Sequence, residues 1–147
     1  MICYRVTPEP FAHSLAGTGA RRHGGRWNRK GTAILYTSNS TALCLLEILV
    51  NVRQEYLPFF HRMVIEVPDA LVDQADPVFY PEVERSREHG ELCVQHNRWV
   101  ATRVASSVLA TSEDAFNLLL NPNHPEFARV QLIESLPLPI DSRLTVS

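Results

Sequence analysis

The sequence predicts an α+β fold: a single domain over residues 1–147, with a mixed β-sheet and flanking helices. Three observations lead there. Short β-type runs alternate with helical patterns, but at irregular spacing, which does not build a regular βαβ series. No GxGxxG occurs, which argues against a doubly wound dinucleotide fold. A chain of 147 residues, 45 % of them hydrophobic, suffices for one sizeable core.

The elements follow in order. Ile2–Val6 reads as a strand ended by Pro8 and Pro10, and Phe11–Lys30, rich in Gly, Arg and His, as a long loop. Ala33–Thr37 is a short apolar strand. Ser38 or Ser40 can cap a helix with its body from Thr41 to about Arg53. His61–Val67 alternates and is rich in β-branched residues, so it reads as a strand broken by Pro68. Pro81 fits the first turn of a helix through Glu88, which Gly90 interrupts before a second short helix over Glu91–Trp99. Arg103–Leu109 reads as a strand and Glu113–Leu120 as a helical turn. Asn121–Pro125 ("NPNHP") is a loop fixed by its prolines, with His124 exposed. Ala128–Glu134 is the last strand, and "LPLPIDSRL" an extended tail.

The formal net charge of −2 argues against a broad nucleic-acid surface, since phosphate affinity needs concentrated Lys and Arg. A local basic patch exists: Arg21, Arg22, Arg26, Arg29 and Lys30, uninterrupted by an acid. Cys3, Cys44 and Cys93 are few, odd in number and without a CxxC, the pattern of a reduced protein with no metal site. "MICYRVTPEP" has no leader pattern, and no run reaches the ~18 apolar residues of a membrane span. The expectation is cytoplasmic.

One carboxylate stands out. On a helical wheel Ser40, Cys44, Glu47, Asn51 and Gln54 form one narrow stripe, while most other positions from 42 to 52 are apolar. This predicts a thin polar seam in an otherwise buried cylinder. Burying an unpaired carboxylate is costly, so Glu47 must reach solvent, a partner or a ligand cavity. The residues before the helix bear on that choice. In "HGGRWN" the glycines allow close backbone approach, Arg26 offers a planar fork of donors suited to phosphate, and Trp27 an aromatic anchor. Arg26, Tyr36 and Glu47 follow each other at ten- and eleven-residue spacing. Each also has a plain reading: a surface Arg in a turn, a packing Tyr, a solvated Glu. There is no HxH, HExxH or GxSxG, and no second acid that pairs with Glu47 as in an ordinary glycosidase.

Taken together, "GARRHGGRWNRKGTAILYTSNSTALCLLEILV" resembles the signature of RES-domain proteins, the toxin half of RES–Xre toxin–antitoxin modules. "YRV" at Tyr4–Val6 resembles the family's opening strand and "RVASSVLA" (Arg103–Ala110) its Val-Pro-Ser strand, with Ala105 at the proline. "NLLLNPNHPEF" is similar to its Leu-Asn-Pro-x-His-Pro loop, and "LPIDSRL" to its closing Phe-Asp-x-Arg-Leu. The matches run in order along nearly the whole chain, so the resemblance implies a single RES domain over 1–147.

By motif, the family's Arg is Arg26, its Glu is Glu47, and its Ser is Ser106, with Ser107 the other candidate. Tyr36 matches the pocket Tyr and Arg5 the N-terminal Arg. The resemblance implies a fold like that of ADP-ribosyltransferase toxins and consumption of NAD+ as substrate, with no tightly bound cofactor. Arg26 would pair with the pyrophosphate, with Arg5 or the Arg21–Arg22 pair as a second contact. Glu47 would stabilise the oxocarbenium character of the cleaved ribose, Tyr36 would stack on nicotinamide, and Ser106 would orient the nicotinamide or the ribose. It further implies an Xre-like antitoxin partner that blocks the pocket and carries the DNA-binding part, and a possible homodimer within that complex. Two other readings remain: a protein ADP-ribosyltransferase, and a non-catalytic module whose seam faces antitoxin or solvent.

Overall fold

The computed structural model describes residues 1–51 and 59–145. Its strands are β1 (Ile2–Pro8), β2 (Leu35–Ser38), β3 (Phe60–Glu66), β4 (Ala101–Ala105), β5 (Phe116–Leu120) and β6 (Gln131–Pro137). They form one sheet in the order β4-β5-β2-β1-β3-β6. The named strands pair antiparallel. Among the described residues parallel pairing is confined to two isolated bridges against β4, at Val72–Ala101 and Val78–Val104, so the mixed sheet of the sequence reading is an antiparallel one. Among the described residues three α-helices flank it: α1 (Thr18–His23), α2 (Thr41–Asn51) and α3 (Val83–His96).

Alternation along the strands sorts the side chains onto two faces. Cys3, Leu35, Met63, Ile65, Leu118 and Leu120 build the main core on one face. On the other, Val6 and Phe60 pack against Cys44 of α2, and Trp27, Ile34, Val104 and Leu119 form a third cluster joined by Tyr36, Tyr80 and Val94.

Several local expectations change. The Phe11–Lys30 segment contains α1, entered through Gly17 and left through Gly24, both at positive φ. The two short helices expected on either side of Gly90 are one helix, α3. Gly90 does not break it because it is a packing residue: a Cβ there would lie 1.8 Å from the Trp27 carbonyl oxygen. Residues 113–120 are not a helical turn, since Phe116–Leu120 is β5, hydrogen-bonded on both sides to β2 and β4. A strand buried on both faces carries a continuous apolar run, which over so few residues is indistinguishable from a helix by pattern. The expected Arg103–Leu109 and Ala128–Glu134 strands shift to Ala101–Ala105 and Gln131–Pro137, and the tail ends in a 3-10 turn over Ser142–Thr145. His124 is buried rather than exposed, its Nδ1 accepting the Glu126 amide at 3.0 Å.

The helix α2 is capped by Ser40, whose hydroxyl oxygen accepts the Leu43 amide at 3.1 Å. It is not a buried cylinder: Leu43 and Cys44 are buried, while Leu46 and Val50 are exposed. Arg53 and Gln54, assigned to this helix from sequence, lie outside the described residues.

Candidate active site

The site begins where the sheet splits. The strands β1 and β2 share one register pair, Tyr4 with Ser38. Beyond it they diverge, and Arg5 bridges the gap by donating from Nη1 to the Tyr36 carbonyl at 3.0 Å. Burial lowers the pKa of Arg5 from its ordinary value.

The helix α2 leaves β2 and passes over this split. Glu47 lies at its middle and faces the end of β4 and the start of β5. Its Oε1 accepts the Ser106 hydroxyl at 2.6 Å and the Asn117 amide at 2.9 Å. The Asn117 Oδ1 in turn accepts the Ser38 hydroxyl at 2.6 Å, between residues that are register partners on β2 and β5. Ser106 is fully buried, and its oxygen accepts the Val108 amide at 3.1 Å, which directs the hydroxyl proton to Glu47. Ser107 is exposed and lines the cavity wall instead. Among the described residues no hydrogen bond falls on Glu47 Oε2.

Opposite stands the Gly24–Asn28 turn. The Tyr36 hydroxyl accepts the Trp27 amide at 3.0 Å and donates to Asn28 Oδ1 at 2.6 Å. The fully buried Asn28 donates to the carbonyls of Ala20 and Thr32 at 2.8 and 3.0 Å, tying the turn to α1. A Cβ on Gly25 would lie 2.6 Å from the Tyr36 oxygen, so the backbone rests directly on the tyrosine. Burial pushes the Tyr36 phenol up to about 12, which keeps it neutral at physiological pH. Trp27 is buried in an aromatic cluster with Tyr80 and His89. The Arg26 guanidinium turns outward to the start of α3, donating from Nη2 to the Tyr80 carbonyl at 2.7 Å.

Two chambers meet at Glu47. The smaller, about 260 Å³, is walled by Val6, Thr37, Ser38, Cys44 and Ile48. The larger, about 610 Å³, is walled by the Gly24–Trp27 turn, Val83, Arg87 and Ser107. Arg5, Tyr36, Glu47, Asn51 and Asn117 line both. The structure therefore gathers Arg5, Arg26, Tyr36 and Glu47 at one cavity, with Ser106 behind Glu47. It does not bring in Arg21, which borders a separate groove beside His13 and Phe127. Arg22 is exposed. Farther along the basic patch, Arg29 is countered by α3: its guanidinium pairs with Glu84, and its amide donates to Glu91 at 2.8 Å.

Sequence reasoning missed Asn117, Asn28 and Arg87. Asn117 carries a signal, a lone amide opening an apolar strand. Arg87 carries none, because its place depends on how α3 docks.

Comparison with known proteins supplies the family. The RES domain model matches residues 2–141. The chain is 30 % identical to "Toxin Res" of Yersinia enterocolitica, over 98 % of this chain and 99 % of that one. It is 34 % identical to "Prs ADP-ribosylating toxin" of a Sphingobium strain, over 78 % and 76 %. Its fold is similar to a chain of the Mycobacterium tuberculosis MbcT–MbcA toxin–antitoxin complex, with a TM-score of 0.71 at 20 % identity, covering 94 % of this chain and 84 % of that one. The chain belongs to the RES domain family.

Proposed function

We propose that this protein is a toxin that cleaves the nicotinamide–ribose bond of NAD+, depleting NAD+ in the cytoplasm and arresting growth, and that an Xre-like antitoxin restrains it. The observation that carries the reading is the Glu47 carboxylate, held by two donors on one oxygen at the junction of two chambers. Such a layout suits a substrate that is cut between a ring and a larger charged remainder.

In this reading the nicotinamide ring occupies the smaller chamber against Tyr36, and the ADP-ribose part the larger, arginine-bearing one. As the C1′–N1 bond breaks, nicotinamide leaves as a neutral molecule with the bonding pair, so no general acid is required. Positive charge gathers on the ribose. A carboxylate already fixed in place stabilises that charge without reorganising, an effect of about 10²–10³ in rate for a single preorganised group. Ser106 and Asn117 hold Oε1, leaving Oε2 for the ribose. The acceptor oxygen of water or phosphate then bonds to C1′ and loses its proton to solvent. Arg5 and Arg26 add positive charge on the phosphate side.

A second reading keeps the same bond cleavage and gives the ADP-ribose to a protein. It is favoured by the relative named an ADP-ribosylating toxin. NAD+ labelled in its adenylate half separates the two. We expect label in free ADP-ribose, or in its 1-phosphate when phosphate is present. Label retained on precipitated protein from a lysate, with no small product, would establish transfer to a protein instead.

A further inference from the structure

We propose that Arg87, on the second turn of α3, grips the diphosphate of the dinucleotide in the larger chamber, an inference that rests on the NAD+ reading above. The larger chamber is lined by three arginines, Arg5, Arg26 and Arg87, and by one acid, Glu47. They differ in what else they hold. Arg5 closes the split in the sheet through the Tyr36 carbonyl. Arg26 spends Nη2 on the carbonyls of Tyr80 and Pro81, at 2.7 and 3.4 Å, and lies over the Phe79 ring. It is largely a strut between the glycine turn and the start of α3.

Arg87 is placed differently. Its Nε donates to the Gly25 carbonyl at 3.0 Å. That bond fixes the plane of the guanidinium, and with it the direction of the two terminal nitrogens. Its nearest carboxylate among the described residues is Glu84, 3.9 Å from Nη1. Glu84 is exposed and already accepts from Arg29, at 3.1 Å to its Nε. The charge of Arg87 is thus weakly countered and bounds a cavity, while its fork is oriented in advance. A fork of this kind binds phosphate oxygens in pairs. The Arg26 Nε, in the same turn, is buried without a partner among the described residues. Arg87 and Tyr36 hold that turn from two sides, Arg87 at the Gly25 carbonyl and Tyr36 at the Trp27 amide.

The test is binding, read by NMR shifts so that weak ligands register, in the Glu47→Gln protein so that NAD+ survives. NAD+, ADP and adenosine are titrated into that parent and into the same protein carrying Arg87→Gln, Arg87→Ala or Arg87→Lys. We expect Arg87→Gln and Arg87→Ala to weaken ADP and NAD+ by about ten- to hundredfold, the usual scale for a charged hydrogen-bonding partner. Adenosine stays unchanged, and Arg87→Lys recovers part of the loss. Glutamine keeps an amide donor for Gly25, so it separates charge from support of the turn. Unchanged ADP binding in Arg87→Gln would overturn the assignment while leaving the NAD+ reading intact. Equal weakening of ADP and adenosine would overturn it too, making Arg87 only a prop for the turn. A parent that binds neither NAD+ nor ADP would overturn the NAD+ reading, and this inference with it.

Discussion

Ser106 donates its hydroxyl to Glu47 Oε1 across 2.6 Å, linking the residue that follows β4 to the middle of α2, 59 positions away in sequence. Of the two adjacent serines, Ser106 is the one that touches Glu47. Ser106→Ala removes a donor to a charged group, a loss of about 1.5–3 kcal/mol where the acceptor stays ionised. We predict nicotinamide release about ten- to hundredfold below wild type in Ser106→Ala, and within about threefold of wild type in Ser107→Ala, where no such bond is broken. Equal losses in the two variants would mean that the Glu47 contact is not what the serine contributes.

Gly90 carries the seating of α3 against the Trp27 turn. An alanine there would place Cβ 1.8 Å from the Trp27 carbonyl oxygen, so helix and turn must separate. Overpacking of this kind costs about 1–3 kcal/mol. Gly90→Ala is predicted to lose stability on that scale, about 1–3 kcal/mol, in urea unfolding. Gly19→Ala is the control, because a Cβ on Gly19 meets nothing within 4 Å and alanine favours the helix. It should be neutral or slightly stabilising.

His89 sits against the rings of Trp27 and Tyr80 in the same interface. Burial lowers its pKa below 6.5, partly offset by the charge of Asp73. Its Nε2 is buried and without a partner among the described residues. Below pH 6.5 the unfolded chain therefore binds this proton more readily than the folded one. Stability is whole above 6.5 and falls as pH drops from there toward the folded-state value. Unfolding midpoints measured from pH 7.5 to 5 should decline in wild type and decline less in His89→Phe. Parallel curves would remove His89 from the account.

Much of the site was legible because its residues lie in local patterns. Arg26, Tyr36 and Glu47 sit in one continuous turn–strand–helix segment, and the structure brings them to one cavity. Arg5 is at that cavity too, though the split that places it there arises only when β1 and β2 share a single register pair. What local pattern could not give was tertiary. The residues of β5 read as a helical turn because a strand paired on both sides has no polar face to show its period. Gly90 read as a breaker because its function is contact with a carbonyl 63 residues earlier. The α2 helix read as buried because Leu46 and Val50 are apolar, and only the fold shows them exposed. Arg87 and Asn117 owe their positions to helix docking and strand pairing rather than to any motif.

The proposed activity depends above all on Glu47 as the charge that makes nicotinamide leave. Nicotinamide release from NAD+ by purified, antitoxin-free protein, beside Glu47→Gln with its fold checked by circular dichroism, tests it most directly. Wild type is expected to release nicotinamide, and the variant to do so at a rate at least about 10²-fold lower. Release by Glu47→Gln at the wild-type rate, or none from the folded wild-type protein, would contradict it.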